Sequence, residues 1–162
     1  MTRDKLIAGY AEWLEQYHWT LFATLTFRGF PSPSRANLIF RKWISEMKEQ
    51  EDEKDFHWVR VTEYGAFQDQ DNVHYHALIG GLRDVCRWHW LRRWDKLAGD
   101  STLTYYRRDY CSDHGIPQSL LNAEHPQRPT GAIPYMLKTA HPDRDFEIDF
   151  ELAPIATPGN AR

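Results

Sequence analysis

Cysteine is scarce: Cys86 and Cys111 are the two in a chain of 162 residues. Their spacing fits no zinc motif, and two thiols make a poor disulfide framework. A stapled secreted scaffold is therefore not expected, and a reducing compartment is the default. Long apolar runs are missing too. Nothing approaches the roughly 20 apolar residues a membrane helix needs. Met1-Thr2-Arg3-Asp4-Lys5 leads into an amphipathic pattern, not the apolar stretch of a signal peptide. A cytoplasmic protein with no membrane partner is the expectation. No Gly-x-x-x-x-Gly-Lys-Ser/Thr phosphate loop occurs, so no fused helicase motor is expected. With no internal repeat or inner linker, one domain is expected over 1–152, followed by a Pro/Gly-bearing mobile tail, 153–162.

An excess of basic residues is also lacking. The net charge is −3, which alone argues against a nucleic-acid partner. Its distribution argues the other way. Glu46 to Asp55 holds six acids and two bases, and Asp143 to Glu151 five acids and one base. Arg83 to Arg108 holds seven bases against three acids, a local +4. The acidic stretches hide a basic middle.

What the chain does have is aromatics, at 14% with seven Trp, enough to build a sizeable core. Residues 3–17 carry Leu6, Ile7, Tyr10, Trp13, Leu14 and Tyr17 at helical spacing, with Thr2 as cap. Residues 20–27 are β-branched and aromatic and read as a strand. Thr24 and Thr26 share one of its faces, which β propensity alone explains. Ser34 is expected to cap a helix over 35–50. Two further strands, 56–64 and 73–79, are joined by a loop short enough for a hairpin. Asp84 is expected to cap a helix over 85–98, with Val85, Trp88, Leu91, Trp94 and Ala98 toward the core. His89, Arg92, Arg93 and Lys96 then form a cationic stripe able to track phosphates. A fourth strand over 101–107 and a long connection over 109–129 follow. A short helix over 130–140 and a last strand over 146–150 close the pattern.

The chemistry concentrates in Asn72-Val73-His74-Tyr75-His76-Ala77-Leu78-Ile79-Gly80-Gly81. Strand alternation puts His74, His76 and Leu78 on one face and Val73, Tyr75, Ala77 and Ile79 on the other. Folding the hairpin brings Glu63 toward the two imidazoles. Two His and a carboxylate suit a metal that keeps positions open for substrate. Four strands interleaved with two long helices give β-α-β-β-α-β, a ferredoxin-like or RRM-like α+β plan. It predicts an antiparallel sheet with helices on one face and His74, His76 and Glu63 on the open one.

Three separated pieces, Phe22-Ala23-Thr24-Leu25-Thr26-Phe27, His74-Tyr75-His76 and Tyr135-Met136-Leu137-Lys138, resemble the HUH endonuclease superfamily. Within it, the similarity is to the single-tyrosine initiators of rolling-circle plasmids and small phages. The resemblance covers residues 20–140. It implies metal ligation by His74, His76 and Glu63, with Tyr135 as nucleophile and Lys138 as its helper. It further implies manganese or magnesium as cofactor, single-stranded DNA at a replication origin as substrate, and a host helicase and polymerase as partners. The helix cut short by Pro142 and the acidic net charge depart from the family pattern. Tyr75, Tyr105 and Tyr106 are rival nucleophiles. Three other readings compete: a HUH transposase, a non-catalytic RRM-like single-strand binder, and an iron oxygenase with a 2-His-1-carboxylate centre.

Overall fold

A computed structural model describes residues 3–52, 54–64, 73–99, 101–105, 132–138 and 148–153. For Arg3, Thr104, Tyr105, Lys138, Ile148 and Asp149 it describes the backbone alone. The expected cap Thr2, the 66–71 loop, the 109–129 connection, Tyr106, Cys111, Pro142 and the tail from Pro154 lie outside the described residues.

The described elements run α1 (Arg3–Leu14), β1 (Trp19–Leu25), α2 (Pro33–Glu51), β2 (His57–Tyr64) and β3 (Val73–Gly80). They continue with α3 (Arg87–Leu97), β4 (Ser101–Tyr105), α4 (Ala132–Lys138) and β5 (Ile148–Glu151). The strands form one antiparallel sheet in the order β4-β1-β3-β2-β5. The fold is α+β. Among the described residues no helix is long and apolar enough to cross a membrane.

Alternation along β1 and β3 sorts the core. Leu21, Ala23 and Leu25 of β1 and Val73, Tyr75, Ala77 and Ile79 of β3 are buried on one face. There they meet Phe40, Trp43 and Met47 of α2 and Trp90 and Trp94 of α3. Each buried indole must place its N–H as well as its ring. Trp43 donates to the Trp90 carbonyl at 3.0 Å and Trp94 to that of Thr26 at 2.9 Å. Buried Arg60 donates to Asn37 Oδ1 at 2.8 Å, and its guanidinium lies over the Phe40 and Tyr75 rings.

The second face is not open along its length, which corrects the expectation from the element pattern. Val59 and Val61 of β2 and Leu78 of β3 put apolar side chains there. Leu14 of α1 and Ala132, Ile133, Met136 and Leu137 of α4 bury them. Leaving three aliphatic side chains in water would cost about 1.5–3 kcal/mol each.

Two helix starts also differ from expectation. Ser32 caps α2, its hydroxyl accepting from the Arg35 N–H at 3.3 Å, because Pro33 stands at the helix start, where no N–H is needed. Helix α3 begins after Cys86 and makes no side-chain cap bond, so Asp84 is not its cap. Its buried residues are Arg87, Trp90 and Trp94, while Trp88 is exposed. The buried Arg87 donates to the Leu103 carbonyl at 2.8 Å, which anchors α3 to β4.

Gly81 closes β3 at φ +77°, and a Cβ there would strike the Asp55 carbonyl in the turn before β2. Gly81→Ala is expected to lower stability by more than about 1 kcal/mol, since both the left-handed backbone and the space require glycine. Urea unfolding monitored by Trp fluorescence measures it.

Candidate active site

The second sheet face carries a cluster at the end of the sheet where β1 and β2 finish and β3 begins. The register makes it. In the β2–β3 ladder Glu63 pairs with His74 and Val61 with His76. In the β1–β3 ladder Thr24 pairs with His76. His76 is 2% exposed, so each ring nitrogen needs a partner within the protein. Nε2 lies 2.7 Å from Glu63 Oε2 and Nδ1 lies 3.2 Å from Thr24 Oγ1.

Two aromatic rings complete the enclosure. Phe22 lies nearly parallel to the His76 ring, with 6.2 Å between centroids and 7° between planes. Tyr135 meets both rings edge-on at 88°, with its centroid 5.5 Å from His76 and 6.1 Å from Phe22. Tyr135 reaches this point because α4 buries Ala132, Ile133, Met136 and Leu137 against the sheet and α1. A helix gathers those four positions on one side and leaves Tyr135 at its margin, half-buried. Lys138 follows at i+3; its side chain lies outside the described residues.

Three of the residues expected from the sequence, Glu63, His76 and Tyr135, thus come together from three elements. His74 shares their face, two residues along the strand. Partial burial holds its pKa below the ordinary imidazole value; the charge of Glu63 opposes this and His76 adds to it. The net direction favours the neutral ring, the form that ligates metal, although Glu63 pulls the other way. Phe22 and Thr24 lie in the first of the three pieces that carry the resemblance, but the sequence alone assigns neither a role at the site. Their place on alternating positions of β1 puts both on the face of His76.

The donor set fits a divalent cation in its chemistry. Two ligands at right angles on a cation, each bonded at about 2.1 Å, stand about 3 Å apart. Glu63 Oε2 and His76 Nε2, at 2.7 Å, need to separate by only a few tenths of an ångström. Among the described residues no group of three His, Cys, Asp or Glu side chains is assembled as a metal site. The pair His76–Glu63 is formed, and His74 is the neighbour that would join it.

The Arg92, Arg93 and Lys96 stripe lies elsewhere. These residues belong to α3, which packs on the opposite face of the sheet. Arg93 is turned to α2, where Nε and Nη2 each donate to Glu46 at 2.6 Å. Arg92 and Lys96 are exposed. The hydrogen bond from Arg93 holds the Glu46 carboxyl below the ordinary carboxylate value. The pair therefore stabilises the fold above the usual carboxylate range, and the contribution is lost as acid protonates Glu46. Both side chains are about a third exposed, so the pair contributes no more than about 1 kcal/mol. Arg93→Ala is expected to lose up to that amount at neutral pH. The gap to wild type should close in acid, as read from thermal melts across pH.

No family model matches the chain, and neither a curated protein nor a solved structure matches it.

Proposed function

We propose that the chain is a nicking-joining endonuclease of the HUH plan, acting on single-stranded DNA and starting rolling-circle replication. One observation carries this reading. A tyrosine from α4, far along the chain, stands against a buried histidine that is bonded to a glutamate on the neighbouring strand. The strand order β4-β1-β3-β2, with α2 and α3 as crossovers, supports a ferredoxin-like core to which β5 adds an edge.

The proposed chemistry follows from the residue types. Cutting a strand while keeping the energy of its phosphodiester needs a protein nucleophile that can later be displaced. Tyr135 Oη attacks the scissile phosphorus, the bond to the 3′ oxygen breaks, and the phenolic proton passes to solvent. The 3′ oxygen takes a proton and becomes a hydroxyl that a polymerase can extend. The 5′ phosphate stays esterified to Tyr135 until a later 3′-OH attacks it, releases the phenol and restores a phosphodiester. A phenol with an ordinary pKa near ~10 is mostly protonated at neutral pH. Lys138, one turn on, is the residue proposed to favour the phenolate. Glu63, His76 and His74 are proposed to hold manganese or magnesium, which supplies positive charge against the scissile phosphate. Phe22 and Tyr135 wall the His76 ring from water and fix its plane.

The test is incubation with a pool of single-stranded oligonucleotides and manganese, followed by a denaturing gel. A protein band shifted by covalent DNA, absent with excess EDTA, is the expected result. Retention of iron with no DNA chemistry would favour an oxygenase instead. Reversible binding without cleavage would favour a plain single-strand binder.

A further inference from the structure

The hydroxyl of Thr24 faces a nitrogen whose role must change if His76 is to hold a cation. A carboxylate only accepts hydrogen bonds. At 2.7 Å from Glu63 Oε2, His76 Nε2 therefore carries the ring hydrogen in the cation-free site. In the neutral ring Nδ1 is then an acceptor, and Thr24 Oγ1, 3.2 Å away, donates to it. Ligation through Nε2 needs the opposite tautomer. The lone pair on Nε2 must be bare, the hydrogen sits on Nδ1, and Thr24 must accept it.

A hydroxyl can do both by turning about its own C–O bond; a carboxylate or an aliphatic group in its place cannot. The backbone holds the hydroxyl ready for either state. Thr24 sits on a strand paired on both sides, opposite His76 on β3 and Thr102 on β4. Its neighbours Ala23 and Leu25 are buried on the other face, which fixes the direction of its side chain. Its β-branched χ1 is stiff as well.

We propose that Thr24 is the positioning residue that lets the His76 ring hydrogen move from Nε2 in the cation-free site to Nδ1 in the cation-bound site. The exchange balances. As a cation enters, Nε2 gives its proton to solvent and Nδ1 takes one, so the ring stays neutral and Glu63 stays ionised. The inference rests on the metal reading above and adds to it the residue that decides which form of the histidine is available. Histidine ligands commonly depend on such a partner at their second nitrogen, and its loss costs about 10- to 100-fold in metal affinity.

The experiment uses full-length protein with 15N-labelled histidine, above the pH range where imidazole titrates, and zinc as a diamagnetic probe. In the wild type, ring-nitrogen spectra are expected to show the His76 hydrogen on Nε2 without zinc and on Nδ1 with it. Thr24→Ser should behave as wild type. Thr24→Val keeps the shape but not the hydroxyl. It should keep the amide spectrum of the folded protein and bind zinc about 10- to 100-fold more weakly. Equal zinc affinity in wild type and Thr24→Val overturns this inference alone. A His76 hydrogen on Nδ1 in the neutral, zinc-free wild type also overturns it. Failure of the wild type to bind zinc at all overturns the metal reading and takes this inference with it.

Discussion

Tyr135→Phe is expected to abolish the covalent DNA adduct, by at least about a thousandfold, while leaving oligonucleotide binding and stability close to wild type. The substitution removes one oxygen. The ring contacts survive, because the edge-on packing against Phe22 and His76 involves only the ring. The helix also survives, because α4 is held by Ala132, Ile133, Met136 and Leu137, which are buried while Tyr135 is not. A denaturing gel with labelled oligonucleotide reads the adduct, and fluorescence anisotropy reads binding. Wild-type levels of adduct from Tyr135→Phe would move the nucleophile elsewhere. Tyr75 is poorly placed to replace it, being buried on the α2 and α3 side of the sheet.

His76→Ala should have the next largest effect, and on two quantities at once. The ring is buried and holds Glu63, Thr24, Phe22 and Tyr135 in one arrangement. Its removal leaves a void beneath Tyr135, expected to cost about 1–3 kcal/mol in stability. Cleavage should fall by more than about a hundredfold, since losing a ligand exceeds losing the ligand's own partner. His74→Ala separates the two effects. His74 is only half-buried, so its loss should weaken cation dependence with a much smaller change in melting temperature. Manganese titration of nicking, alongside thermal melts of both variants, makes the comparison. A His76→Ala protein that nicks at the wild-type rate, with undiminished response to manganese, would remove the histidine from the chemistry.

The strands were legible because their signal is local. Period-two alternation in 73–79 put Val73, Tyr75, Ala77 and Ile79 on one face and Leu78 on the other, and they are buried in two separate clusters. The hairpin likewise brought Glu63 to the histidine strand, because neighbouring strands with a short loop pair in antiparallel register. The Thr24–His76 pair was not legible. Those residues are 52 positions apart, and their meeting depends on the register of β3 against β1, which no local pattern encodes.

Helix α3 misled for a physical reason. Arg-Trp-His-Trp-Leu-Arg-Arg-Trp offers two apolar phases, one through Trp88 and one through Trp90. The second prevails, although it carries Arg87 inward, because the guanidinium finds the Leu103 carbonyl and its stem packs as hydrocarbon. The covered second face was missed because α1 and α4 lie outside the β-α-β-β-α-β core. Nothing in a single amphipathic helix states which side of a sheet it will cover.

Mass-spectrometric mapping of the wild-type protein–DNA adduct is the most direct measurement of the proposed chemistry. After cleavage of a single-stranded oligonucleotide with manganese, nuclease trimming and proteolysis, a 5′-phosphonucleotide should remain on the peptide containing Tyr135, with a free 3′-OH on the released strand. Attachment at Tyr105, Tyr106 or any other residue, or a linkage through a 3′ phosphate, would contradict the assignment.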